Sequence, residues 1–226
     1  MLLQIPDLFS TEEVRDARAA LAAADWIDGR ATAGHRAARV KTNMQLALDD
    51  PTARRLGDAI LDRLGQTPLF IAAALPLRVL PPRFNRYEGA GAYGPHVDSA
   101  IFPIPGTALR VRSDISATLF LSDPADYDGG ELVIADSFGD QRVKLPAGHL
   151  VIYPGSSLHH VTPVTRGTRY ASFFWTQSLV QDERTRRTLF ELDQAIQSLA
   201  TDHPDHPSVD PLTNVYHNLL RQHATP

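Results

Sequence analysis

The sequence predicts a mainly β protein with flanking helices, and three observations carry that expectation. From about residue 67 to 178 the chain breaks into short apolar segments separated by Gly-, Pro- and Asp-rich turns. The residues before and after that block show helical spacing instead. With 226 residues and 43% hydrophobic content, the chain can bury one sizeable core with appendages. Many short strands at this spacing suggest a sandwich or jelly roll. The expected organisation is a helical region over 1–66 packed on the core, a β core over 67–178 and a helical extension over 179–226.

Each element has its own signal. Ser10 followed by Glu13 is a capping-box pattern, and the run through Ala24 is rich in Ala, Leu, Arg and Glu. Trp26-Ile27-Asp28-Gly29 reads as a short strand and turn. A second helix begins with Asp50 as N-cap and Pro51 at its first position, and runs to about Gly65 with Leu56, Ile60, Leu61 and Leu64 at helical spacing. The strands expected next are Phe70–Leu80, Arg83–Tyr87, Ile115–Ser122, Glu131–Ala135, Gln141–Leu145, His149–Tyr153, His160–Thr165 and Arg169–Gln177. Their separators include Tyr127-Asp128-Gly129-Gly130, Phe138-Gly139-Asp140 and Arg166-Gly167, and Gly129 to Leu132 reads as a hairpin turn whose glycines allow positive φ. After Gln177 the stripe Leu189, Leu192, Ile196 and Leu199 marks a helix expected to dock on the β core, with dimerisation as the other use of that face. DHPDHP, with His203 and His206, reads as a solvated turn before a last short helix.

Composition narrows the function classes. Lys and Arg number 22 against 26 Asp and Glu, a formal net charge of −4, which argues against a general nucleic-acid binder. The chain has no cysteine, so disulfides, thiolate zinc sites, iron–sulfur clusters and cysteine nucleophiles are excluded. Any metal must be held by the 9 histidines and the carboxylates. No apolar stretch has the length of a membrane span, and the first residues lack a signal-peptide pattern, so the expectation is a cytoplasmic protein.

The stretch YGPHVDSA places His96 and Asp98 two apart after a Gly-Pro turn. On an extended chain such residues share a face. An isolated pair of this kind recurs freely by chance, so the downstream residues decide its meaning. SSLHHVTPVTRGTRYASFFW supplies two adjacent histidines, His159 and His160, and an arginine, Arg169. Two histidines and one carboxylate on one face of a metal leave the opposite positions open, the pattern of non-haem Fe(II) oxygenases. Arg169 suits a carboxylate clamp because its planar guanidinium binds bidentately. Ala171, Phe173 and Trp175 share its strand face, and small Ala171 leaves room for a slender dicarboxylate. Tyr87 and Tyr93, just ahead of the His-Asp pair, are further candidates to hydrogen-bond a bound co-substrate, against the ordinary reading of packing aromatics. Strand alternation leaves His159 and His160 open. A two-residue loop at Arg166-Gly167 puts His160 on the face of Arg169, and a three-residue loop puts His159 there.

His96-x-Asp98, the segment SATLFLSDPADYDGGEL and the stretch LHHVTPVTRGTRYASFFW together resemble the bacterial PKHD-type hydroxylases. These are relatives of the prolyl 4-hydroxylases among the Fe(II)/2-oxoglutarate dioxygenases. The resemblance covers the β core and continues into the FELDQAIQSL tail. It implies a double-stranded β-helix core, with His96, Asp98 and His159 as iron ligands and Arg169 on the distal carboxylate of 2-oxoglutarate. It also implies turnover supported by L-ascorbate and an association with iron uptake.

The expected reaction hydroxylates a small-molecule or peptidyl substrate with O2, coupled to decarboxylation of 2-oxoglutarate to succinate and CO2, with no catalytic side chain beyond the metal site. Kinship with prolyl and lysyl hydroxylases suggests a peptidyl side chain, and the iron-uptake association a siderophore-related one. Two rivals stand beside this: a zinc-dependent hydrolase on the same ligands, and a non-catalytic iron or 2-oxoglutarate sensor. The segment Ile101 to Arg112, with a turn at Pro105-Gly106, is the expected lid.

Overall fold

The computed structural model describes residues 1–32, 37–104, 106–137 and 139–225; Phe138 and Pro105, cited above as turn signals, lie outside them. The chain runs through β1 (Leu3–Ile5), α1 (Thr11–Ala22), β2 (Trp26–Asp28), β3 (Lys41–Thr42), β4 (Met44–Leu46), α2 (Pro51–Gly65) and α3 (Pro68–Ala74). It continues through β5 (Pro76–Val79), β6 (Arg83–Tyr87), β7 (Ala92–His96), β8 (Ile101–Pro103), β9 (Arg110–Arg112) and β10 (Ile115–Phe120). The strands end with β11 (Tyr127–Gly129), β12 (Leu132–Ile134), β13 (Gln141–Val143), β14 (Leu150–Pro154), β15 (His159–Val161), β16 (Val164–Gly167) and β17 (Arg169–Ser178). Helices α4 (Glu183–Asp202) and α5 (Val209–His223) close the chain.

The strands form a jelly roll. A major sheet of eight strands has the order β1-β14-β10-β17-β6-β4-β2, with β5 also on β17, and a minor sheet of five has the order β13-β12-β15-β7-β3. Strand β10 is buried at every residue because the major sheet is covered on both faces. Helices α1, α2 and α3 cover one face through Val14, Leu21, Leu56, Ile60, Leu64 and Phe70, which join Phe84, Leu119 and Phe174 in one core. The other side carries a second core of Phe120, Tyr127, Leu132, Val151 and Val161. Burying one such leucine or phenylalanine stabilises the fold by about 1.5–3 kcal/mol.

The N-terminal helix signals are realised at their residues. Ser10 Oγ accepts from the Glu13 amide and the Glu13 carboxylate accepts from the Ser10 amide, completing the capping box. Asp50 caps α2 by accepting from the Ala53 amide at 2.9 Å, with Pro51 next. Each cap contributes about 1 kcal/mol. The first 66 residues also supply β1, β2 and β4 to the major sheet and β3 to the minor one, so this region is helical only in part.

Three expectations are corrected. Phe70–Leu80 is not one strand: Pro68 starts α3, the Ala-rich turn propagates it, and only Pro76–Val79 is extended. Leu75 ends α3 in the left-handed region at φ 43°, and its carbonyl accepts from the Leu179 amide at 2.8 Å, tying the C-terminal extension to the core. His160–Thr165 divides at Pro163 into β15 in the minor sheet and β16, which pairs with β11. Gly129 and Gly130 do have positive φ (72° and 63°), yet they carry the chain between partners rather than making a hairpin: β11 pairs with β16, while β12 pairs with β13 and β15. In the extension, Leu189 packs with Leu75 and Val180, and Tyr216, Leu219 and Leu220 of α5 lie against them. The His203–His206 segment is the turn between α4 and α5.

Candidate metal and co-substrate site

Between the two sheets lies a cavity of about 400 Å³, and His96, Asp98, His159, Arg169, Tyr87 and Tyr93 all line it. His96 is the last residue of β7 and His159 the first of β15, and the two stand opposite each other in the antiparallel pairing. Asp98 follows β7 in the loop and turns back toward both rings. Its Oδ1 is 3.9 Å from His96 Nε2 and its Oδ2 3.8 Å from His159 Nε2. One ligand atom from each of the three residues lies within 4.8 Å of the others. His160 is only half-buried and pairs with Val133 on the neighbouring strand. The hairpin-register argument does not apply, because β15 and β17 belong to different sheets.

The surroundings prepare both imidazoles to bind through Nε2. His96 Nδ1 is 2.9 Å from the Gly94 carbonyl and His159 Nδ1 is 3.0 Å from the Ser157 carbonyl. A carbonyl can only accept, so each Nδ1 carries the proton and each Nε2 presents its lone pair. Burial, reinforced by the neighbouring His159, pushes the His96 pKa down to about 4, so the ring stays neutral, as ligation requires. Tyr93 stacks on His96 at 3.6 Å between centroids, and Tyr153 meets His159 edge-on at 5.1 Å. Ser116 Oγ donates to Asp98 Oδ2 at 2.7 Å, fixing the carboxylate from the major sheet.

Arg169 begins β17 in the major sheet, opposite Tyr87 of β6, and is 1% exposed. Its guanidinium lies 5.3 Å from the Tyr87 ring and 5.2 Å from the Phe120 ring. Its Nε and Nη1 have no hydrogen-bond partner among the described residues. A buried guanidinium with N–H groups unmatched is costly, so the site suits an anion that supplies their acceptors. Gly130 makes room beside it: a Cβ there would lie 2.8 Å from the Tyr127 ring and 3.0 Å from Arg169 Cδ. Burial raises the Tyr87 pKa, so its phenol remains a proton donor. Asn85 Nδ2 donates to the Tyr87 oxygen at 3.4 Å.

The donor set therefore fits a divalent metal with a small acid: two neutral imidazoles and a carboxylate on the minor-sheet side, and a cationic fork on the major-sheet side. Sequence reading missed Lys41, Gln45, Asn85, Ser116, Thr118 and Tyr153, which also line the cavity. A signal existed for two of them. In ISATLF, Ser116 and Thr118 alternate within an apolar strand, and polar residues at that period share a face.

A family model for the 2OG-Fe(II) oxygenase superfamily matches residues 82–177, and one for the PKHD-type hydroxylase C-terminal domain matches residues 182–225. The chain is 60% identical over 221 residues to a PKHD-type hydroxylase of Delftia acidovorans, covering 98% of each. It is 60% identical over 222 residues to PKHD-type hydroxylase PiuC of Pseudomonas aeruginosa, again covering 98% of each. Among solved structures, HygX from Streptomyces hygroscopicus, with nickel, 2-oxoglutarate and hygromycin B bound, superposes with a TM-score of 0.56 at 16% identity, covering 79% of this chain and 84% of that one. A Pseudomonas putida prolyl-4-hydroxylase superposes with a TM-score of 0.50 at 20% identity, covering 78% and 92%. Those two likenesses establish the jelly-roll fold.

Proposed function

The chain belongs to the PKHD-type hydroxylases of the 2OG-Fe(II) oxygenase superfamily and is a 2-oxoglutarate-dependent dioxygenase; within that class, we propose that His96, Asp98 and His159 hold its Fe(II) and that Arg169 and Tyr87 bind 2-oxoglutarate. The observation that carries the assignment is convergence. Two Nε2 lone pairs and the Asp98 carboxylate meet in the cavity that also receives the unmatched N–H groups of Arg169.

The chain's residues divide the work. Gly94 and Ser157 hold the tautomers of His96 and His159, and Ser116 holds the Asp98 rotamer. Arg169 would receive the distal carboxylate of 2-oxoglutarate through charge-assisted N–H···O bonds from its unmatched N–H groups. Tyr87, kept protonated by burial, would donate to the same end of the co-substrate. Tyr93 covers His96 and, with Phe173 and Trp175, lines the space left for the second substrate. When bound, Fe(II) supplies O2 activation coupled to decarboxylation of 2-oxoglutarate to succinate and CO2, and so hydroxylation of that substrate.

Residues 67–178 carry the proposed iron and 2-oxoglutarate residues, residues 1–66 add helices and strands to that core, and residues 179–226 extend it. L-Ascorbate would keep the iron ferrous between turnovers, and the cytoplasm is the setting of the reaction. The substrate is a peptidyl side chain or a siderophore-related molecule. Incubation with Fe(II), 2-oxoglutarate and ascorbate in air tests the reading: succinate should form in an iron-dependent manner. An iron-loaded protein that leaves 2-oxoglutarate intact would instead be a sensor.

A further inference from the structure

The same cavity is lined by two cations that the proposed chemistry does not use. Lys41, in β3 of the minor sheet, is 4% exposed and pairs with Tyr93 of β7. Its ammonium lies 5.1 Å from the Tyr93 ring centroid and 6.0 Å from that of Phe173, so it reaches into the space between the sheets. Arg83 begins β6 of the major sheet, opposite Phe173, and its guanidinium lies 5.3 Å from the Trp175 ring. Among the described residues that guanidinium makes no ion pair or side-chain hydrogen bond. Phe102, from the β8–β9 hairpin, stacks on Trp175 at 4.2 Å.

Position separates these cations from the co-substrate end. On β6, Arg83 and Tyr87 lie at opposite ends of the strand, and Tyr87 is the residue beside Arg169. Four residues of strand span roughly 13 Å, more than one five-carbon diacid covers while its other end is on the metal. Arg83 therefore faces a different molecule, and Lys41, whose ammonium lies near the ring of the Phe173 that pairs with Arg83, faces it from the opposite sheet. Their like charges oppose each other, and each has lost hydration to the aromatic walls; an anion entering between them relieves both costs. Asp98, a proposed metal ligand, and Asp28, which accepts hydrogen bonds from Arg30, are among the carboxylates that act on Lys41.

We propose that Lys41 and Arg83 form the recognition site for a carboxylate on the hydroxylated substrate, whose apolar part lies against Phe102, Phe173 and Trp175. This rests on the assignment of the triad to iron and of Arg169 to 2-oxoglutarate. The substrate class is thus an organic acid, free or at the end of a longer molecule, that presents its C–H bond to the metal from the Trp175 side of the cavity.

The test uses the full chain loaded anaerobically with Fe(II) and saturating 2-oxoglutarate. Calorimetric titration compares 3-phenylpropanoate with its neutral amide. The acid should bind at least about tenfold more tightly. Lys41→Met and Arg83→Met should each remove most of that preference, Lys41→Arg should restore it, and all three should keep the visible band of the Fe(II)–2-oxoglutarate chelate. Equal affinity for acid and amide would overturn the proposal, as would a preference that survives both methionine variants. Loss of the chelate band in Lys41→Met or Arg83→Met, with the thermal midpoint unchanged, would also overturn it by assigning these cations to 2-oxoglutarate. Absence of the band from the wild-type protein is a separate result that strikes the iron assignment; the acid-over-amide comparison on the same unloaded protein then still decides the cation site.

Discussion

His159 stands directly across from His96 in the pairing of β15 with β7, and their ring centroids are 4.3 Å apart. The adjacent His160 takes the place opposite Val133 instead. Backbone pairing thus separates two neighbouring histidines that strand alternation alone leaves equivalent. His159→Ala should lower Fe(II) affinity more than about 100-fold, since it removes a ligand rather than a supporting contact. His160→Ala should stay within a few-fold of wild type. Competition of Fe(II) against a chromophoric chelator measures both.

Ser116 is buried and its hydroxyl serves Asp98. Ser116→Ala should weaken metal binding about 10- to 100-fold, the usual cost of losing a contact that orients a ligand. The same chelator competition reads it, with the thermal midpoint of the metal-free protein as the control for folding.

Arg169 supplies a fork that lysine lacks. Charge-assisted bonds of this kind contribute about 1.5–3 kcal/mol, so Arg169→Lys should raise the KM for 2-oxoglutarate about 10-fold or more. Arg169→Ala should raise it further, with Fe(II) affinity unchanged. Steady-state succinate formation against 2-oxoglutarate concentration provides the comparison.

Gly130 sits at φ 63°, and a Cβ there meets the Tyr127 and Val164 side chains at 2.8 Å. Gly130→Ala should destabilise the protein by about 1–3 kcal/mol. It should also raise the KM for 2-oxoglutarate by displacing Arg169. Urea unfolding and the same kinetic assay separate the two effects.

The pH dependence of the metal-free protein follows from His96. Its pKa is lowered from 6.5 to about 4 in the folded state, chiefly by burial. The unfolded chain therefore takes up this proton first as pH falls. The contribution of His96 to stability is present above about 6.5 and is lost as pH drops toward 4. Thermal midpoints measured with chelator present should fall across that window, and less steeply in His96→Gln.

Much of this was legible because it is local. The capping box at Ser10 and Glu13, the Asp50-Pro51 start of α2 and the strand Arg83–Tyr87 depend on neighbours in sequence, and each appears where its residues place it. Phe70–Ala74 misled because its β-favouring Phe and Ile outweighed the helix start at Pro68, which packing then rewards by burying Phe70, Ala73 and Ala74. Strands of two or three residues, such as those carrying Lys41 and Gln45, have no periodicity to read; the pairing of β3 with β7, and of β4 with β2 and β6, defines them. The spacing of His96 and Asp98 foretold their convergence, although β7 ends at His96 and it is the following loop that returns the carboxylate. That Arg169 faces the triad from the opposite sheet is likewise a property of the topology.

The most direct test of the account is an anaerobic titration of the metal-free protein with Fe(II) and then 2-oxoglutarate. A weak visible charge-transfer band should appear. It should be lost in His96→Ala, Asp98→Ala and His159→Ala and kept in His160→Ala, and in Arg169→Ala it should need far more 2-oxoglutarate. A band that persists without His159 but disappears without His160, or no band in the wild-type protein despite bound iron, would contradict it.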